Sequence, residues 1–174
     1  MGDISKSLSE NLKWAESRFE RCDDILHRQV FLQDGKKEGL LVYVEVAVSN
    51  LMLEEHVIGL SDVQPLSTYE EGEAALLAGN GILFLEGDDQ VYKISSKGYP
   101  GLGVSKAESE KVMRGSREGF TESEKLNVAL IRKRLRDPRM KVEEQQIGTR
   151  SHTMTALVYM EDLVYPDLLD TIRE

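Results

Sequence analysis

The chain carries one apolar strand pattern twice. Leu41-Val42-Tyr43-Val44-Glu45 returns as Leu157-Val158-Tyr159-Met160-Glu161, each run apolar, β-branched in part and closed by a carboxylate. Such a run predicts a buried strand that surfaces at its C-terminal end. The echo extends upstream, since residues 22–45 and 137–161 differ by one residue in length and each stretch begins where a helical pattern stops. Duplication of a helix-then-strand unit is therefore the strongest constraint on the fold. It predicts an α/β architecture of two small lobes with mixed β-sheets flanked by helices. Residues 1–112 form the expected first lobe and residues 113–174 a partial second one, with any ligand cleft between them.

Helix starts punctuate this frame. Ser7 and Glu10, Thr68 and Glu71, and Thr121 and Glu124 all have capping-box spacing. The first pair predicts a helix with Leu8, Leu12, Ala15, Phe19 and Cys22 on one stripe, and the second a helix through Ala78 stopped by Gly79. The third opens a helix over residues 122–136, stopped by Asp137-Pro138. There Leu126, Ala129, Leu130, Ile131 and Leu135 are expected to point inward, and Arg132, Lys133, Arg134 and Arg136 outward. Residues 30–32 and 40–46 read as a strand pair, residues 51–60 as a further helix, and residues 82–85 and 91–95 as a hairpin turning at Gly87 to Gln90. Residues 98–105 read as a loop and 108–115 as an edge strand. A C-terminal helix completes the second lobe.

A formal net charge of −9 argues against general nucleic-acid binding. The charge is uneven: residues 114–150 hold ten Lys/Arg against six Asp/Glu, a local +4, leaving twelve against twenty-five, or −13, elsewhere. The basic end of the third helix complements the helix dipole, so its charges read first as a solvated face or as ion-pair partners for the acidic remainder. Cys22 has no His or Cys at a motif spacing and reads as a small buried thiol in a reducing compartment. His27, His56 and His152 stand at no ligand spacing, so no metal is expected. The glycine pairs Gly79/Gly81 and Gly101/Gly103 lack the remainder of a dinucleotide or phosphate loop, so no cofactor is expected either. Glu45 and Glu161 close equivalent strands and could meet as a carboxylate pair, but strand ends are where solvated acids belong, and no catalytic residue is assigned. No apolar stretch approaches the ~18 residues of a membrane span.

The block Val112-Met113-Arg114-Gly115-Ser116-Arg117-Glu118-Gly119-Phe120 carries a resemblance, continued by Asn127, Ala129-Leu130-Ile131-Arg132-Lys133-Arg134-Leu135, Ile147-Gly148-Thr149-Arg150 and Leu157-Val158-Tyr159-Met160-Glu161. With Leu76-Leu77-Ala78-Gly79 and residues 82–87 and 94–98, it resembles the N-terminal soluble domain of the A subunit of GerA-type spore germination receptors. That family also includes the stage V sporulation protein AF. Val46, Ser116, His152 and Asp162 depart from the family pattern and mark a divergent member. The resemblance implies a non-enzymatic signal-coupling and assembly module on the cytosolic side of the spore inner membrane, joined to the membrane only through a region beyond residue 174. It implies a transporter-like membrane subunit and a lipoprotein subunit as partners, with a homo-oligomer also open and the second lobe cut short. Candidate interface residues are Arg114, Gly115, Arg117, Glu118, Gly119, Phe120, Asn127, Arg132, Arg134, Gly148 and Arg150, with Glu45 and Glu161 as the repeated strand-end acids. The alternative expectation is a sensor that holds a small nutrient or anion between the lobes.

Overall fold

The computed structural model describes residues 3–32, 37–47, 63–95 and 119–174. Four helices and seven strands occur among them: α1 (Leu8–Arg18), β1 (Ile25–Leu32), β2 (Lys37–Val44), β3 (Val63–Leu66), α2 (Tyr69–Leu77), β4 (Gly81–Leu85), β5 (Val91–Ile94), α3 (Glu124–Arg134), β6 (Met140–Ile147), β7 (Thr153–Met160) and α4 (Pro166–Arg173). Five strands form one sheet in the order β1-β2-β4-β5-β3, and β6 with β7 forms a separate ribbon. All these ladders are antiparallel, and a single isolated parallel bridge links Cys22 to Val142. The expected helix 51–60, loop 98–105 and edge strand 108–115 lie outside the described residues.

The main core follows from which strands have neighbours on both sides. β2 sits between β1 and β4, and its Leu40, Leu41, Val42 and Val44 are at most 2% exposed. All five residues of β4 are buried too, as expected of an uninterrupted apolar run in an interior strand. Helices α1 and α2 both pack on β2 and β4. Trp14 of α1 stacks on Tyr69 of α2 at 4.5 Å and meets Phe19 and Phe84 edge-on at 5.9 Å, which ties both helices to the sheet. The α2 start behaves as its sequence predicts, Thr68 Oγ1 accepting from the Glu71 N–H, while the Glu71 carboxylate reaches back one residue further, to the Ser67 N–H. Gly79 at φ +90° ends the helix, a conformation that glycine adopts without a Cβ clash.

The duplication is real in three dimensions and larger than the strand echo. It pairs α1-β1-β2 with α3-β6-β7, each an eleven-residue helix followed by a hairpin of two eight-residue strands. The helix starts share two hydrogen bonds. Asn11 Nδ2 donates to the Ser5 carbonyl and Asn127 Nδ2 to the Thr121 carbonyl, both at 2.8 Å, while the Ser7 and Ser123 N–H groups donate to Ser5 Oγ and Thr121 Oγ1. The hairpin ends match as well, since the Glu45 and Glu161 N–H groups donate to the carbonyls of Asp24 and Arg139, both at 2.9 Å.

This shared helix-start motif replaces two of the expected capping boxes. Ser7 makes no side-chain cap, Glu10 bonding Ser5 instead, and α3 is capped by Ser123 rather than Thr121, which shortens it to Glu124–Arg134. β3 and β6 were not anticipated. In β6 the polar run Glu143-Glu144-Gln145-Gln146 hides a strand whose inner end, Met140 to Val142, is buried. The second strand of the echo also differs from expectation: Leu157 to Met160 are only half-buried, because β7 has β6 on one side and no described strand on the other.

Unequal burial of the two asparagines gives a test. Asn11 is fully buried and also accepts from the Tyr69 hydroxyl at 2.6 Å, whereas Asn127 sits at the surface-facing start of α3. Asn11→Ala is expected to cost about 1–3 kcal/mol and Asn127→Ala under about 1.5 kcal/mol in urea denaturation, reflecting the larger penalty of stranding buried partners.

Candidate functional site at the junction of the two units

The chain leaves α1 and crosses to β1 along the flank of β6. Arg21, at φ +59°, makes the turn, its carbonyl accepting from the Val142 N–H at 2.8 Å. The Asp23 N–H returns a bond to the Val142 carbonyl at 2.9 Å, and the Asp23 carboxylate accepts from the Glu144 N–H at 2.7 Å. The first unit thereby supplies a one-residue parallel extension to the ribbon of the second.

Next to this seam lies a buried ion pair. Arg132 Nε and Nη2 donate to the two carboxylate oxygens of Asp24 at 2.8 and 2.7 Å, with side-chain exposures of 0% and 3%. Arg132 Nη1 donates to the carbonyls of Met140 at 3.1 Å and Asp137 at 3.4 Å. A planar guanidinium fork matches a carboxylate in two parallel bonds, and the extra carbonyls satisfy donors that burial would otherwise strand. This overturns the outward placement expected of Arg132. It follows buried Val128 by four residues and buried Ala129 by three, so helical geometry puts it on the inner face despite its basic neighbours. Leu135, expected inward, is exposed, lying beyond the last helical residue. Cys22 is buried beside the pair, as expected of a small thiol, although it lies beyond the end of α1 and not on that helix's stripe, and burial pushes its thiol pKa up.

The strand-end acids do not form a carboxylate pair; each takes a lysine. Lys125 Nζ of α3 donates to both oxygens of Glu45 at 2.8 Å, a second charged tie between the units, and Glu45 holds the lysine pKa above its ordinary value. Glu161 lies 3.4 Å from Lys141, which is largely buried in β6. Glu144, facing Lys125 and the acids Glu45, Asp23 and Asp24, has its pKa raised chiefly by burial, with Lys125 opposing the rise and those acids adding to it.

The remaining sequence candidates scatter. Arg114, Gly115, Arg117 and Glu118 lie outside the described residues. Gly119 and Phe120 lead into α3 fully on the surface, with Phe120 71% exposed, and Arg134 is exposed at the other end of that helix. Gly148 and Arg150 occupy the β6–β7 turn; Gly148 has φ +91° and a Cβ there would fall 2.5 Å from Ser151 Oγ. So, among the described candidates, Arg132 and Glu45 converge on the junction. Asp24 and Lys125, which complete the two ties, escaped sequence reasoning; the signal for Arg132 was its spacing from Val128, and for Asp24 there was none beyond its place in an acidic pair before a strand.

A cleft of about 330 Å³ opens between α1 and the ends of the second ribbon, lined by Trp14, Arg18, Glu20, Arg139, Lys141 and Glu161. Its cations are engaged: Arg18 by Glu73, Arg139 by Asp137 and Asp162, Lys141 by Glu161. Hydrogen bonds from Arg139 pull the Asp137 pKa down to about 2. Among the described residues no group of His, Cys, Asp and Glu could hold a metal ion, and no helix is long and apolar enough to cross a membrane.

Removing one member of the buried pair tests its weight. Asp24→Ala leaves Arg132 as a buried unpaired charge and is expected to cost about 3–5 kcal/mol, while the double variant Asp24→Leu with Arg132→Met recovers most of that loss in thermal or urea unfolding.

Comparison with known proteins places the chain. The family model described as Bacillus/Clostridium GerA spore germination protein matches residues 50–174. Similar proteins of Bacillus subtilis include stage V sporulation protein AF, 32% identical over 88% of this chain and 30% of its own length. Others are the uncharacterized membrane protein YfkQ, 28% identical over 98% of this chain and 37% of its own length, and spore germination protein KA, 22% identical over 98% and 36%. The chain thus spans about a third of the length of these relatives. In fold it is similar to the crystal structure of the N-terminal domain of the A subunit of the Bacillus megaterium spore germinant receptor GerK3, with a TM-score of 0.76 at 19% identity over 99% of this chain and 71% of that one. With the family model covering well over half of its residues, the chain belongs to the GerA spore germination protein family.

Proposed function

We propose that this chain is the N-terminal domain of a germination receptor A subunit and acts as a non-enzymatic module for signal coupling and assembly. The observation that carries this reading is the buried Asp24–Arg132 clasp, reinforced by Glu45–Lys125. Both ties anchor α3 to the first unit, so a displacement at either unit is passed to the other through α3 as a rigid lever. Phe120, 71% exposed at the start of that lever, has the character of an interface anchor, since large aromatics left in water at a helix start gain by docking. Arg114, Arg117 and Glu118, just upstream in sequence, supply charge to the same contact. The surface engages the transporter-like and lipoprotein subunits of a receptor at the spore inner membrane, with this domain on the cytosolic side.

Phe120→Ala touches an exposed side chain, so protein stability should change by no more than about 0.5 kcal/mol. Spores carrying that variant in the full-length receptor are expected to hold normal receptor amounts yet respond poorly to nutrient. Germination at the wild-type rate would discard the coupling role.

A second reading rests on the cleft beside Trp14. Its size and its mixed aromatic and charged lining suit a small nutrient or anion held between the units. Screening amino acids, sugars and small anions by thermal shift tests it, because a ligand at ~100 times its Kd adds about 2.7 kcal/mol of stability. If no class raises the melting temperature, the cleft is structural only.

A further inference from the structure

The link between α2 and β4 holds a chemically labile dipeptide. Asparagine occurs at positions 11, 50, 80 and 127, followed by leucine, leucine, glycine and valine. Only glycine, having no Cβ, leaves its backbone nitrogen open to the side chain of the preceding asparagine, so Asn80-Gly81 is where that nitrogen can attack.

Two features of the fold hold the reaction back. The Asn80 side chain is anchored, Nδ2 donating to the Ala75 carbonyl at 2.9 Å while the Asn80 N–H donates to the same oxygen at 3.2 Å. The attacking nitrogen is engaged as well. The Glu86 N–H donates to the Glu38 carbonyl on the β2 side, and backbone groups alternate along a strand, so those of Gly81 point the other way, into the β4–β5 ladder opposite Ile94. Gly81 is itself buried at the head of β4.

We propose that Asn80 is a modification site, deamidated spontaneously when the α2–β4 link opens, and that its isoaspartate product cannot resume the native link. The Gly81 nitrogen bonds to Asn80 Cγ, the Cγ–Nδ2 bond breaks, and ammonia leaves with the Gly81 proton, which closes a cyclic imide. Water then splits the imide. Cleavage between Cγ and the nitrogen gives aspartate; cleavage between the Asn80 backbone carbonyl carbon and the nitrogen gives isoaspartate, whose main chain runs through Cβ and Cγ. Water is the sole co-reactant.

Both products conflict with the fold. Aspartate sets a carboxylate oxygen where Nδ2 now donates, against the Ala75 carbonyl, at the negative end of a helix whose last turn holds no basic residue. Isoaspartate adds a carbon to the main chain between two fixed points. On one side α2 is pinned by Tyr69 stacked on Trp14, and on the other β4 is held in register by β2 and β5 together.

Peptide mass mapping of the chain in mildly alkaline buffer, folded and in urea, tests the site. In urea, conversion at Asn80 is expected to outrun that at Asn11, Asn50 and Asn127 by roughly tenfold or more, because the attacking nitrogen is unshielded only there. Folding should slow the Asn80 conversion by roughly tenfold or more, since the closed link must open first. Thr68→Ala, which removes the α2 cap, is expected to restore part of that speed, and wild-type protein in urea below its unfolding transition gives the same readout without a substitution. Ion exchange then separates deamidated from unmodified chains of one urea-treated sample. On dilution the unmodified chains should recover native circular dichroism and the isoaspartate chains fall short of it. Equal Asn80 rates in folded and unfolded protein overturn the inference, as does full recovery by the isoaspartate chains, or a rate at Asn80 in urea no greater than at the other asparagines.

Discussion

The structure turns on one buried charge pair. Asp24 and Arg132 are 108 residues apart in sequence and share two hydrogen bonds out of reach of water. Each group alone would be intolerable there, since desolvating a lone charge costs several kcal/mol. Together they fix a relation that apolar packing would leave loose: the start of β1 must sit over the inner face of α3. Once it does, Arg21 to Asp23 lie along β6, Val142 closes two backbone bonds with them, and Ala129 of α3 joins the core of the five-stranded sheet. A hydrophobic contact tolerates sliding; a bidentate fork with two further carbonyl acceptors does not.

Duplication explains why that pair stands where it does. Asp24 and Arg139 are equivalent residues, each accepting the N–H of a strand-end glutamate on its carbonyl. Their side chains have diverged: Asp24 reaches into the other unit to Arg132, whereas Arg139 pairs locally with Asp137 and Asp162. Backbone equivalence thus preserves the hairpin, and side-chain divergence at one position converts two copies of a unit into a joined pair.

Much of this was legible from residues alone, and the failures have physical reasons. Helix α2, the β4–β5 hairpin and the β1–β2 pair announce themselves through Thr68, Gly79 and uninterrupted apolar runs, signals that depend on nearby residues. The helix-start motif shared by Ser5-Ser7-Asn11 and Thr121-Ser123-Asn127 was equally available and was masked by capping-box spacings at the same places. β6 escaped because its outer half projects from the body and has no apolar face to display. Arg132 was misplaced because a run of four basic residues in five reads as one exposed face, while only three of them avoid the stripe set by Val128 and Ala129. Nothing near Asp24 marks it as a partner across the molecule.

The basic segment of an acidic chain now has an electrostatic account. Of its cations, Arg132 is bound to Asp24, Lys125 to Glu45, Lys141 to Glu161 and Arg139 to Asp137 and Asp162. Two of those acids, Asp24 and Glu45, come from the first unit, so part of the positive charge of residues 114–150 is matched inside the molecule by acids of the other unit. Lys125 and Arg132, each held by a carboxylate at 2.7 to 2.8 Å, are thereby satisfied within the molecule. Charge asymmetry between the halves is instead the complementarity that sets one unit against the other, with exposed Phe120 left at the head of the helix that both ties hold.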